Sequence, residues 1–229
     1  MTAILSTFNP EHLKAALLNG EELKLAASLL YQSYHDDPLF LTIFRGDTPD
    51  YEQRLRSAIR EELNTFWQAG QPVVGLFHAE QLLGVACVVG PDSGIGSGRL
   101  WHWRLKMLLT AGFVSTRQML EKEQRIHAAM PYDRYHMLAF IAVSPKYQHL
   151  GLGHYLIHAV DSIVDQDTSS SGIGVFVTLA KYQPFFADDH YQKVTELAFG
   201  SVSGSLMFRA RQAEVTADAN NGNTADVAV

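Results

Sequence analysis

A single cysteine, Cys87, stands in the 229 residues, so an internal disulfide is excluded and a reducing compartment is expected. It lies inside the apolar run "LLGVACVV" (82–89), where a thiol reads as a small core residue. No apolar run approaches the roughly 18 residues of a membrane span. The opening "MTAILSTFNP" lacks the basic start and long apolar stretch of a secretory signal, so a cytoplasmic protein with no membrane partner is expected. Charge is sparse at 18%, and the net −6 comes with no basic stripe, which argues against nucleic acid. A mildly acidic chain does admit an amine or cationic partner. Neither G-x-x-x-x-G-K-[ST] nor the Rossmann glycine fingerprint is present, so the two commonest phosphate motifs are excluded.

What is present suits a globular α/β chain, with 47% apolar residues and ample length for a core. Leu23, Ala26, Ala27, Leu30 and Tyr34 recur at helical spacing and stop before "HDDPLF". "DTPD" (47–50) offers an N-cap and Pro49 at a first-turn position, followed by Leu55, Ile59, Leu63 and Phe66, with Gly70 as the stop. The period then changes, and "PVVGLFH" and "LLGVACVV" read as a hairpin. "PDSGIGSG" (91–98) reads as a loop, and Arg99 to about Met130 as helix in two pieces. "MLAFIAV" (137–143) and "GVFVTL" (174–179) are continuously apolar, as doubly buried strands are. "VTELAF" and "SLMFRA" form a last antiparallel pair, and "HLKAALLN" is open between helix and strand. Residues 1–211 are expected to form one domain, with 212–229 a loose tail.

The segment "VSPKYQHLGLGHYLI" (143–157) joins the apolar strand to a helix through a turn holding Gly151 and Gly153. A helix start leaves backbone N–H groups unpaired, and with the helix dipole these make an anion site that glycine lets a phosphate approach. Gln148 adds a side-chain donor. A tight turn alone would also explain the two glycines.

The flanking residues resemble the signature of the GCN5-related N-acetyltransferases: an apolar strand ending in Val143, then Pro145, Gln148, Gly151 and Gly153 in x-P-x-x-[QR]-x-x-G-x-G/A, then helix. "SYHDDPLFLTIF" resembles the first-helix region of the puromycin N-acetyltransferase-like branch, and the likeness runs over roughly residues 12 to 211. It implies a mixed, mostly antiparallel sheet flanked by helices, and makes "HLKAALLN" the first strand. It also implies acetyl-CoA as co-substrate and an amine of a small molecule or peptide as acceptor, in a family where homodimers are common. The pyrophosphate would rest on the N–H groups of Gln148, His149, Leu150, Gly151, Leu152, Gly153 and His154. Backbone groups of Ile141, Ala142 and Val143 would take the pantetheine arm, one N–H facing the thioester oxygen.

The resemblance breaks at "YQPFFADDHYQKV" (182–194). Phe186 falls where the family carries a tyrosine that protonates the leaving thiolate, and Tyr191 falls on a core aromatic position. No acid stands on "MLAFIAV" or "GVFVTL" to deprotonate the amine. His136, at the start of the central strand, and Tyr182 are the substitute acid–base candidates. Asp36 and Asp37 are read either as holders of a cation or as helix-end caps. His154 and His158 share a helix face, but no glutamate follows the first, so no metal is expected. "LWHWRLKMLL" (100–109) reads as core or as a cover for the acceptor groove, ahead of an interfacial membrane helix. An acyl-CoA-binding module without turnover, or a transferase of longer acyl chains, stands beside the acetyltransferase reading.

Overall fold

A computed structural model describes residues 12–92 and 113–212. Within them the chain runs β1 (Leu13–Leu17), α1 (Leu23–Tyr34), α2 (Pro38–Ile43), α3 (Tyr51–Gln68), β2 (Val73–His78), β3 (Gln81–Val89), α4 (Phe113–Ala129), β4 (His136–Val143), α5 (Leu152–Gln166), β5 (Gly172–Val177), α6 (Gln183–Asp188), β6 (Gln192–Phe199) and β7 (Val202–Ala210). The strands form one sheet in the order β1-β2-β3-β4-β5-β7-β6, parallel only between β4 and β5. The mixed, mostly antiparallel sheet with helices on both faces is as expected. "HLKAALLN" supplies β1, paired from Leu13↔His78 to Leu17↔Val74, so sheet pairing overrides its helical propensity.

Two local expectations are corrected. "HDDPLF" is not the end of helical structure, because Asp37 and Pro38 start the short helix α2. "DTPD" caps α3 less directly than its spacing suggests: the N-cap is Asp50, its side chain bonds no backbone N–H of the helix, and Pro49 lies outside. The 91–98 loop from Ser93 on, "LWHWRLKMLL" and the tail from Ala213 lie outside the described residues.

Alternation along β3 and β4 sends side chains to two cores. Val85, Cys87, Phe140 and Ala142 meet α1 to α4, whereas Ala86, Val88 and Leu138 meet α5 and α6. The stripe Leu152, Leu156, Ile157, Val160 and Val164 buries one face of α5, together stabilising by about 10 kcal/mol at the usual side-chain values. No helix among the described residues is long and apolar enough to cross a membrane.

One ionic cluster holds α5 to β7. The Arg209 guanidinium donates from Nε to Asp161 Oδ2 at 3.1 Å and from Nη2 to Asp165 Oδ2 at 2.7 Å, while the Tyr191 hydroxyl donates to Asp161 Oδ1 at 3.2 Å. Burial pushes the Asp161 carboxyl up to about 6 in spite of that cation.

Candidate active site

The sheet opens in its middle. β4 follows β3 from Met137 to Val143, yet it pairs with β5 only from His136 to Leu138. The β3–β4 register shifts between Cys87 and Val88, whose partners are Phe140 and Leu138, and Ala139 is the extra, exposed residue of that bulge. Past the bulge the two parallel strands separate and leave a gap beside residues 139–143.

Backbone alternation decides which groups face it. Ser144 N–H donates to the Leu83 carbonyl of β3 at 2.8 Å, so Ala142, two residues before, also turns to β3. Ile141 and Val143 turn to the gap. Ala142 is therefore corrected as a binding residue, since its backbone groups belong to the β3 ladder.

The Tyr34 hydroxyl reaches this edge from the last turn of α1. It accepts from Ile141 N–H at 3.1 Å and donates to the Ile141 carbonyl at 3.0 Å. Its ring stands against Phe40 and Phe140, with centroids 5.4 and 5.6 Å away. Burial, more than the nearby Asp37, Cys87 and Tyr182, pushes its phenol well above the usual range. Nothing local in the sequence marks this residue, which meets Ile141 across 107 positions.

Asp37 works from the same corner. Its Oδ1 accepts from Leu39 N–H at 2.9 Å and Phe40 N–H at 3.3 Å, capping α2, while Oδ2 accepts from the Thr178 hydroxyl at 2.7 Å just past β5. The α1–α2 corner thus holds β4 through Tyr34 and the end of β5 through Asp37. The buried Asp37 is a cap, whereas Asp36 is exposed and pairs with His35. Asp37→Ala is expected to lower stability by about 1–2 kcal/mol in chemical denaturation, and Asp37→Asn by less, because asparagine caps almost as well.

At the far end of the gap the chain turns into α5. Gln148 Nε2 donates to the Val143 carbonyl at 3.1 Å, closing the turn on the strand it leaves. His149 and Gly151 take left-handed φ values of 64° and 77°. The first helical N–H bond runs from His154 to the Gly151 carbonyl at 3.1 Å, which engages His154 and leaves the N–H groups of Leu152 and Gly153 ahead of it. A Cβ on Gly151 would meet nothing within 4 Å, whereas one on Gly153 would lie 2.9 Å from the Phe185 ring. The two glycines answer different needs: Gly151 the left-handed turn beneath open space, Gly153 the close approach of α6. A groove of about 720 Å³ is lined by Leu25, Leu29 and Gln32 of α1, Leu82 of β3 and Ser144 just past β4, among others.

His136 is corrected as an acid–base candidate. It is buried at the opposite end of β4, roughly 16 Å along the strand from Ile141, with Nδ1 2.8 Å from the Ser170 hydroxyl and Nε2 3.6 Å from Asp167. Burial lowers its pKa, the Asp167 charge opposing. Tyr182 is 43% exposed beyond β5. Phe186 is buried against Phe185 and Tyr191, and His190 takes a left-handed φ of 68°. His154 and His158 flank one buried carboxylate, Asp189, at 2.7 and 3.3 Å, and no three-ligand metal cluster occurs among the described residues. Cys87 is fully buried and its thiol is pushed up, so it serves packing.

No family model and no curated protein matches the sequence. Solved structures do. The protein from Corynebacterium glutamicum described as histone acetyltransferase HPA2 and related acetyltransferase superposes with a TM-score of 0.67 over 89% of this chain and 99% of its own, at 13% identity. The C-terminal condensation domain of Ebony, in complex with beta-alanyl-dopamine, gives 0.60 over 86% and 98%, at 14% identity. The mosquito arylalkylamine N-acetyltransferase-like 5b gives 0.57 over 86% and 99%, at 15% identity. At such identities the likeness is one of architecture, and what this chain shares with these proteins is the fold of the GCN5-related N-acetyltransferases.

Proposed function

We propose that the chain is an N-acyltransferase that moves an acetyl group from acetyl-coenzyme A to the amino group of a small molecule or peptide, within the puromycin N-acetyltransferase-like branch. The observation that supports this most is the strand gap running into a glycine-bearing helix start, one continuous edge of backbone groups. The residues fit the group: Leu152 and Gly153 offer unpaired N–H groups at the start of a 15-residue helix, and the space over Gly151 is open. Gln148, His149 and Leu150 line the same turn. Val143 turns its N–H to the gap, and the Ile141 groups, held by the Tyr34 hydroxyl, would meet an amide-bearing arm or an acyl oxygen once that hydroxyl gives way. When bound, acetyl-coenzyme A supplies an acyl carbon activated as a thioester.

Released from the Tyr34 hydroxyl, the Ile141 N–H would donate to the acyl oxygen, and such a donor is worth about 100- to 1000-fold in rate. Phe40 and Phe140 border the gap with apolar surface that strengthens this hydrogen bond. A thiol with an unperturbed pKa near 8.5 leaves without much acid help, so Phe186 in place of a tyrosine slows transfer without forbidding it. With no carboxylate on β4 or β5, the amine proton leaves through water. An amine acceptor also accords with the dopamine conjugate of Ebony and the arylalkylamine named for the mosquito protein.

Phe186 and the missing strand acids favour a second reading, a module that binds acyl-CoA without transferring it. Calorimetric titration with acetyl-CoA, followed by assay of thiol release over a panel of amines, separates the two. Saturable binding with amine-dependent thiol release is expected. Binding without release from any amine leaves the second reading, and no binding overturns both.

A further inference from the structure

The Tyr34 hydroxyl stands where an acyl oxygen would have to sit. Its Oη lies 3.1 Å from Ile141 N, at the upper end of the 2.7–3.1 Å that separates an oxyanion donor from the oxygen it stabilises. An incoming carbonyl oxygen cannot share that place, so the hydroxyl must give way. Phe40 and Phe140 wall the ring and offer no acceptor. Once parted from the Ile141 carbonyl, the hydroxyl proton has the incoming oxygen as its nearest partner.

We propose that Tyr34 is a catalytic residue whose hydroxyl, released from Ile141, donates to the acyl oxygen and shares with the Ile141 N–H the charge that develops there. The proposal rests on the acyl-CoA reading above. In the step it serves, the amine nitrogen bonds to the acyl carbon while the carbonyl electron pair moves onto oxygen. Return of that pair breaks the carbon–sulfur bond and releases the thiolate, and the proton shed by the nitrogen goes to solvent. Tyr34 keeps its own proton throughout, as a phenol pushed up by burial does. Its part differs from that of the family's tyrosine, which gives its proton to sulfur. The Asp37 tie to Thr178 keeps the α1–α2 corner in place while the hydroxyl swings by about one hydrogen-bond length.

The test compares wild type with Tyr34→Phe, using acetyl-CoA labelled with ¹³C at the carbonyl. Calorimetry first establishes binding to each, and infrared difference spectra then read the bound carbonyl stretch. The proposal expects similar affinity for both, a lower stretching frequency in wild type than in the variant, and amine-dependent turnover reduced about 100-fold in kcat with little change in KM. Equal stretch and equal turnover in two proteins that both bind overturns the role of Tyr34 and leaves the acyl-CoA reading intact. Failure of wild type to bind overturns both. Should Tyr34→Phe not fold, 3-fluorotyrosine at position 34 keeps the shape and makes a stronger donor. A further drop in frequency then supports the proposal, and an unchanged frequency overturns it.

Discussion

Gly151→Trp should weaken acetyl-CoA binding by about 100-fold or more while the protein still folds. Gly151 holds φ at 77° and has nothing within 4 Å of where a Cβ would stand, so the indole projects into the space above the helix start. A side chain in this left-handed conformation costs about 1–2 kcal/mol, or roughly 2–8 °C in Tm for a chain of this size. The loss of binding is larger, because blocking that space removes charge-assisted hydrogen bonds to the Leu152 and Gly153 N–H groups. Two such bonds at about 1.5–3 kcal/mol each exceed two decades in affinity. Gly151→Ala carries the same backbone strain without the bulk and is expected to stay within about tenfold of wild type. Calorimetry on the three proteins separates strain from obstruction, and an unaltered affinity in the tryptophan variant would show that the turn cradles nothing.

Arg209→Met should be the most destabilising single change outside the site, at about 3–5 kcal/mol, seen as a Tm lower by roughly 6–20 °C. The methionine fills similar volume but leaves Asp161 and Asp165 facing each other with no cation between them. Asp161 already has its pKa raised to about 6 in the folded protein, so its contribution to stability is full below its unfolded value and is lost as pH rises through 6. Asp165 is shifted the other way, lowered by its bonds to Arg209 and Gln212 against the cost of burial, so its contribution is present above the unfolded value and lost as pH falls. Without the guanidinium both carboxyls hold their protons to higher pH. The penalty of the substitution is therefore expected to be smaller at pH 5 than at pH 8, and denaturation curves at the two values check the sign.

Much of the architecture was legible because it lies in periodicity. The apolar run 137–143 and the stripe of α5 each place a buried element, and the turn motif between them fixes the start of the helix. β1 was settled by resemblance against its own propensity, since five residues with one weakly buried face carry no clear period. α2 is half legible: Asp36 and Asp37 admit a reading as helix-end caps, but Asp37 followed by Pro38 caps a helix that starts there, and six residues carry too short a stripe to show it. His136 looked like a site residue because a strand in sequence has no visible direction towards the ligand, and only pairing with β5 shows that the gap opens at the other end. In the sequence Gly153 and Gly151 look like one feature, yet the contact that demands Gly153 comes from Phe185, 32 positions away. Tyr34 left no trace in the sequence, because a hydroxyl that substitutes for a strand partner needs only to end its helix at the right height.

The short parallel ladder between β4 and β5 has a mechanical consequence. The seven strands behave as two half-sheets, β1 to β4 and β5 to β7, joined edge to edge over His136–Leu138 and backed by α5. On the far side of Leu138 the corner that Tyr34 and Asp37 tie down links the halves by hydrogen bonds. An amide-bearing arm laid into the opening would act as a temporary eighth strand, a rung that stiffens a hinge. Occupancy would then be felt as rigidity across the whole sheet, well beyond the atoms that react.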